Sequence, residues 1–199
     1  ASLFFRNDNI YQILSRRIID HCWFPVAHRA GFHIERPDAN WFLNQFIPFD
    51  LSNTNKNMRR SDSPAKNAFG SDWRRAPSNW EIYSPDENDY QKKGKSRRFI
   101  GRVLSIMNRT ESIDLKEVNK AFKRANEGKK TLLAVTSHDF RNLKTEINFF
   151  RSLIKKSSKK FPKVKFYFVD TVKGFQKTLS LKNIKKNSIK LNIKRINKN

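Results

Sequence analysis

FPVAHRAGFHIERPDANWFLNQFIPFD, residues 24–50, is the stretch whose reading decides the fold. Residues 24–27 are a short apolar run. His28, Arg29, Ala30 and His33 then crowd around Gly31. Pro37 suits the first turn of a helix, where its missing N–H would go unpaired anyway. Trp41, Phe42, Gln45 and Phe46 follow at helical spacing, and the apolar residues 47–49 end in Asp50. The order is strand, loop, helix, strand. Arg29 and Asp50 fall just past strand ends, where α/β proteins bind their ligands. The bland alternative is a surface arginine and a capping aspartate.

Working outward, Asp8 can cap a helix to about Asp20, with Ile10, Ile13, Leu14 and Ile18 on one face. Pro25 marks the start of a strand after it. Downstream, residues 51–79 are a long polar loop, 80–83 fit a short strand, and 84–95 are again polar. Residues 97–107 alternate: Phe99, Gly101, Val103 and Ser105 oppose Ile100, Arg102, Leu104 and Ile106, which favours a strand. Asp114 and Glu117 make a capping-box-like start, the stripe Leu115, Val118, Ala121, Phe122, Ala125 follows, and Gly128 closes the helix. TLLAVT at 131–136 has the composition of a strand buried on both faces of a parallel sheet. A helix is expected over about 142–157, a strand VKFYFV at 164–169, and a helix capped by Asp170. Strands alternating with helices imply an α/β fold with parallel pairing by right-handed crossovers. Residues 1–181 form one unit with an irregular insert at about 51–98, and 182–199 read as a basic, disordered tail.

The bulk composition excludes several classes. No apolar run among the 199 residues approaches the roughly 20 that span a bilayer. The chain begins at Ala1, with no signal peptide visible, and is expected to be processed or part of a longer product. Cys22 is the sole cysteine, which allows no internal disulfide or cysteine zinc cluster and slightly favours a reducing, cytoplasmic setting. The net charge of +24 invites nucleic acid or an anionic surface. Yet the basic residues are dispersed, and most of the 17 Phe and 4 Trp lie in apolar periodic segments, as core residues do. Both features argue against nucleic acid as the primary partner.

Chemistry is expected at Ser137-His138-Asp139, beyond the most apolar strand. A histidine there suits a general acid or base, or a metal ligand; a His and Asp capping the next helix fit as well. His28 and His33 are five apart, not the i, i+4 spacing of a helical metal pair. Asp72, near Trp73, Arg74 and Arg75, could orient a guanidinium in a site or form a surface ion pair. Asp86, Glu87 and Asp89 suit a solvated turn. No Gly-rich phosphate loop, G-x-S-x-G elbow or CxxC pair is present.

The run His28-Arg29-Ala30-Gly31, then a helix, then Ile47-Pro48-Phe49-Asp50-Leu51-Ser52, resembles the polysaccharide deacetylase (NodB-homology) superfamily. Residues 133–139, LAVTSHD, look like that family's late strand ending in a catalytic histidine. The resemblance covers about residues 8–178. It implies a partial (β/α) barrel and a metal-dependent hydrolase that removes an N- or O-acyl group from a sugar. By that analogy Arg29 holds a catalytic carboxylate, His138 with Asp139 beside it protonates the departing amine or alkoxide, and Asp50 is a supporting or groove residue. His28, His33, Asp72 and Trp73 fall around the same site. The family's paired aspartates and its two histidines four apart are missing. Either this chain is the C-terminal portion of a longer protein that holds a divalent metal, zinc by analogy, or it is a degenerate member without a metal site; the first is favoured, with no metal held tightly by this chain alone. The alternative is a non-catalytic basic module that binds an acidic glycan or nucleic acid.

Overall fold

A computed structural model describes residues 8–56, 72–107 and 112–181. The expected basic tail at 182–199 and residues 57–71 of the insert lie outside the described residues. The helices are α1 (Asp8–His21), α2 (Pro37–Phe46), α3 (Leu115–Asn126), α4 (Leu143–Lys160) and α5 (Thr171–Leu179). The strands are β1 (Ala27–His28), β2 (Phe49–Asn53), β3 (Phe99–Ser105) and β4 (Ala134–Thr136).

Local chemistry explains where the helices start. Pro37 opens α2. The Asp114 carboxylate accepts from the Glu117 backbone N–H, Asn142 from that of Thr145, and Asp170 from that of Lys173. Each fills one of the donors a helix N-terminus leaves open, worth about 1 kcal/mol. In α3 the predicted stripe is buried at Val118, Ala121 and Phe122, and it packs with Trp80, Leu104, Leu153 and Ile154.

The four strands lie parallel in the order β1-β2-β3-β4 and curl into a half-barrel alternating with helices. Ala27 is opposite Phe49, Phe49 opposite Phe99, and Val103 opposite Ala134. The register slips between Asp50 and Asn53, at the carboxyl end of β2.

Several expectations are corrected. The strand expected at 24–27 is only Ala27–His28, because Pro25 has no N–H to give a ladder. The strand expected at 47–49 is shifted to Phe49–Asn53, past Pro48, so Asp50 is its second residue and fully buried, not beyond its end. Residues 80–83 make one antiparallel bridge, Tyr83 to Ile100, and no strand. Only 134–136 of TLLAVT pair. They are half-exposed, since β4 is the sheet's edge. Residues 164–169 form no strand. A three-residue β4 is a poor template for a further partner, and Phe166 instead packs on Phe122 while Tyr167 lies beneath Lys177.

The insert begins after Asn53, not at 51, and its described part is a packed wall. Trp73, Ala76, Tyr83 and Tyr90 cluster with Ile100. The Asn53 amide donates to the Pro77 carbonyl at 2.9 Å and that of Asn55 to Ala76 at 2.5 Å. The wall thus closes over the carboxyl end of β2.

Candidate functional site

Chain leaving β1 at His28 makes a single 3₁₀ turn, Gly31–His33, before α2. His33 sits at φ +56°, a left-handed conformation that costs a non-glycine residue about 1–3 kcal/mol. It is held from both sides. The Trp73 indole donates to the His33 carbonyl at 2.8 Å, and the Ala30 N–H donates to Ser52 Oγ at 2.9 Å. The turn is therefore fixed to both the insert and β2.

Exposed Arg29 donates to His33 Nε2 at 3.0 Å. That bond requires a neutral imidazole with its proton on Nδ1. The electrostatics agree. His33 is pushed down to about 4, first by burial and then by the Arg29 charge, while Asp50 and the Ser52 backbone oppose. His138 also acts on this ring, lowering it further. Arg29 and His33 from the end of β1, and His138 from the end of β4, therefore share one electrostatic field.

Beneath the turn lies Arg98, with no exposed side-chain surface. Its Nη1 donates to Asp50 Oδ2 at 2.6 Å, and its Nη2 to Glu35 Oε1 at 2.8 Å and Asn40 Oδ1 at 2.7 Å. The Asn40 amide continues to the Asp86 and Glu87 carbonyls at 3.0 and 2.8 Å. Asp50 Oδ1 accepts the Ser52 N–H at 2.6 Å. Glu35 Oε2 is buried without a partner. Burial, and then the Asp50 charge, push Glu35 up to about 8 against the pull of Arg98. Burial and the Asp50 charge thus favour the protonated form of Glu35, which leaves Asp50 as the stronger counter-charge to Arg98. Half-buried His28 is pushed down by burial, which Asp50 opposes.

His28, Arg29, His33, Asp50 and Trp73 lie in or against the same turn and strand end, with Asp50 and Trp73 buried. Asp72 stands apart. It is paired with exposed Arg74 at 2.8 Å, whose hydrogen bonds pull it down to about 2, so the surface-pair reading holds. His138 and Asp139 are exposed, and the His138 ring stacks on Phe140 at 5.0 Å. The cap of α4 comes from Asn142 and not from either of them. Arg141 holds their loop down through Glu146 at 2.8 Å and the Ile106 carbonyl at 2.9 Å.

The sequence reading missed Arg98, Glu35 and Asn40. A usable signal existed for the first. Arg98 and Arg102 share the parity of Ile100 and Leu104, both fully buried. An arginine in line with a strand buried on both faces needs a buried acid.

His28, Glu35 and Asp50 offer ligand atoms all within 4.8 Å of one another, the sole such set found among the described residues. They do not fit a catalytic zinc. Arg98 already holds one oxygen of each carboxylate, burial favours the protonated form of Glu35, and neither acid side chain has any exposed surface. A catalytic zinc keeps a position open for water, and a second cation beside a buried guanidinium is strongly repelled.

Fold and site define a class: a curled parallel α/β half-barrel with a charged turn at the carboxyl ends of its strands. No family model, curated protein or solved structure matches the chain.

Proposed function

We propose that this chain is the C-terminal part of a carbohydrate-deacetylase-like hydrolase that removes an N- or O-acyl group from a sugar. The observations that support the reading are that Arg29 donates to His33 past one edge strand of the curled sheet, and that His138, past the other edge strand, acts electrostatically on the same imidazole. In this reading water adds to the acyl carbonyl and the C–N or C–O bond breaks. His138, accessible to solvent, gives its proton to the departing nitrogen or oxygen. Arg29 orients a carboxylate or the developing negative charge, and neutral His33 holds the guanidinium in place. Activation of the water falls to groups outside the described residues, because His28, Glu35 and Asp50 do not fit a zinc site.

The test is turnover of N-acetylated chitooligosaccharide and O-acetylated xylan by the intact protein. His138→Ala and Arg29→Ala are each expected to lower turnover about 10²-fold with unchanged thermal unfolding, since both side chains are exposed. Full turnover in His138→Ala removes the reading.

A second reading rests on a separate observation. Lys155, Lys156, Lys159, Lys160, Lys163 and Lys165 are all exposed, and no acidic residue occurs over 147–169. Such a surface suits an acidic glycan or nucleic acid. It predicts affinity that falls steeply with salt and is indifferent to His138→Ala.

A further inference from the structure

Two carboxylates and an imidazole within 4.8 Å of one another are a donor set that collects divalent cations. Here the two carboxylates grip a guanidinium, whose charge also acts on the imidazole. We infer that Arg98 is the resident cation of this centre: it takes the place of a metal ion among His28, Glu35 and Asp50, and by doing so it positions the 29–33 turn. The inference stands independently of the hydrolase reading.

Connectivity carries it. Arg98 grips Asp50 on β2, Glu35 just after the turn and Asn40 on α2. Asp50 passes the constraint to the Ser52 N–H, and Ser52 Oγ receives the Ala30 N–H, next to Arg29. Asn40 passes it to the insert at Asp86 and Glu87. A bound metal would order the same strands and turn through the same acids. Unlike a metal, the guanidinium is part of the chain and is not lost to chelators. Its planar fork spans two acids and an amide at once, which the point charge of a lysine does not do. The leftover oxygen, Glu35 Oε2, is buried and has no partner. It is the position through which a metal would compete if Arg98 were removed.

The experiment uses the full chain, with Co²⁺ absorption and thermal unfolding measured with EDTA and with equimolar Zn²⁺ or Co²⁺. Wild type is expected to show no cobalt band that depends on His28, and the same unfolding temperature in EDTA and Zn²⁺. Arg98→Met is expected to unfold at a lower temperature, to regain part of the loss with Zn²⁺, and to acquire a cobalt band that His28→Ala abolishes. A His28-dependent cobalt band in wild type overturns the inference, because the cluster would then bind metal despite Arg98. A folded Arg98→Met protein that gains no metal overturns it as well. Should Arg98→Met not fold, Arg98→Lys tests the positioning role. With the fork lost, amide hydrogen exchange at Ala30 and Ser52, whose N–H groups are held through Asp50 and Ser52, is expected to speed up while that of α3 stays unchanged, and unaltered exchange at both overturns the positioning role.

Discussion

Asp50→Asn is expected to cost about 3–5 kcal/mol of unfolding free energy by urea denaturation, the range for breaking a buried ion pair from one side. Glu35→Gln is expected to cost no more than about 1 kcal/mol, the scale of one net hydrogen bond. Both acids touch the same guanidinium and both are fully buried, so counting contacts would rank them together. The charge state separates them. Burial and the Asp50 charge push Glu35 up toward its neutral form, so glutamine stays close to that form and keeps an oxygen for Arg98. Asp50 balances Arg98 and accepts the Ser52 N–H. Asparagine leaves the buried guanidinium uncompensated and loosens the strand end to which Ala30 is tied. Equal losses in the two variants would show that the charge is shared between the acids.

The same cluster sets a pH dependence. Glu35 rises on folding from 4.5 to about 8, so the folded state binds its proton more tightly. That contribution is complete below 4.5 and is lost as pH rises through about 8. His33 falls from 6.5 to about 4. Its contribution is complete above 6.5 and is lost as pH falls through about 4. Between 4.5 and 6.5 the two slopes oppose each other, and His28, also pushed down by burial, adds to the His33 side. From 6.5 to 8 Glu35 acts alone, so stability is expected to decline there by about 1 kcal/mol per pH unit. Glu35→Gln is expected to flatten that decline, and His33→Gln to weaken the acid limb only.

How much of this was legible depended on whether the signal was local. The helices were readable because their caps are one residue long and their stripes recur. Asp114, Asn142 and Asp170 each cap within a residue of the expected start. The strands were harder. β1 and β4 have two and three residues, too few to show a period, and their pairing lies in other parts of the chain. Residues 164–169 have a strand's composition without a strand's partner. At the site, Arg29 and His138 were singled out from their place after apolar runs, and His33 from its spacing to His28. Arg98 was hidden by its background: among 42 Lys and Arg, one more arginine carries no contrast. Its buried parity with Ile100 and Leu104 was visible, but its acids lie 48 and 63 residues away.

Arg102, the other arginine of that parity, gives the last prediction. Its Nη1 meets Glu117 Oε2 at 2.5 Å, its Nε the Asn55 carbonyl at 2.5 Å, and its guanidinium lies 4.3 Å over the Trp80 ring. Trp80 returns to α3 by donating to the Glu117 carbonyl at 3.0 Å. Glu117→Ala removes the acid paired with a side chain of no exposed surface, and is expected to cost about 3–5 kcal/mol. Arg102→Met strands the Glu117 carboxylate, which has only 7% exposure, and should cost a similar amount. The double variant Arg102→Met with Glu117→Leu removes both charges. It is expected to recover most of either loss, because apolar residues of similar volume often match a buried pair. Recovery should stop short by about 1–2 kcal/mol, since the Asn55 and Ser78 carbonyls lose their donor. Urea unfolding of the four proteins of this cycle decides the matter. Additive losses in the double variant would mean that Arg102 serves those carbonyls and Trp80, with Glu117 incidental. A double variant close to wild type would mean that the pair is the whole of its role.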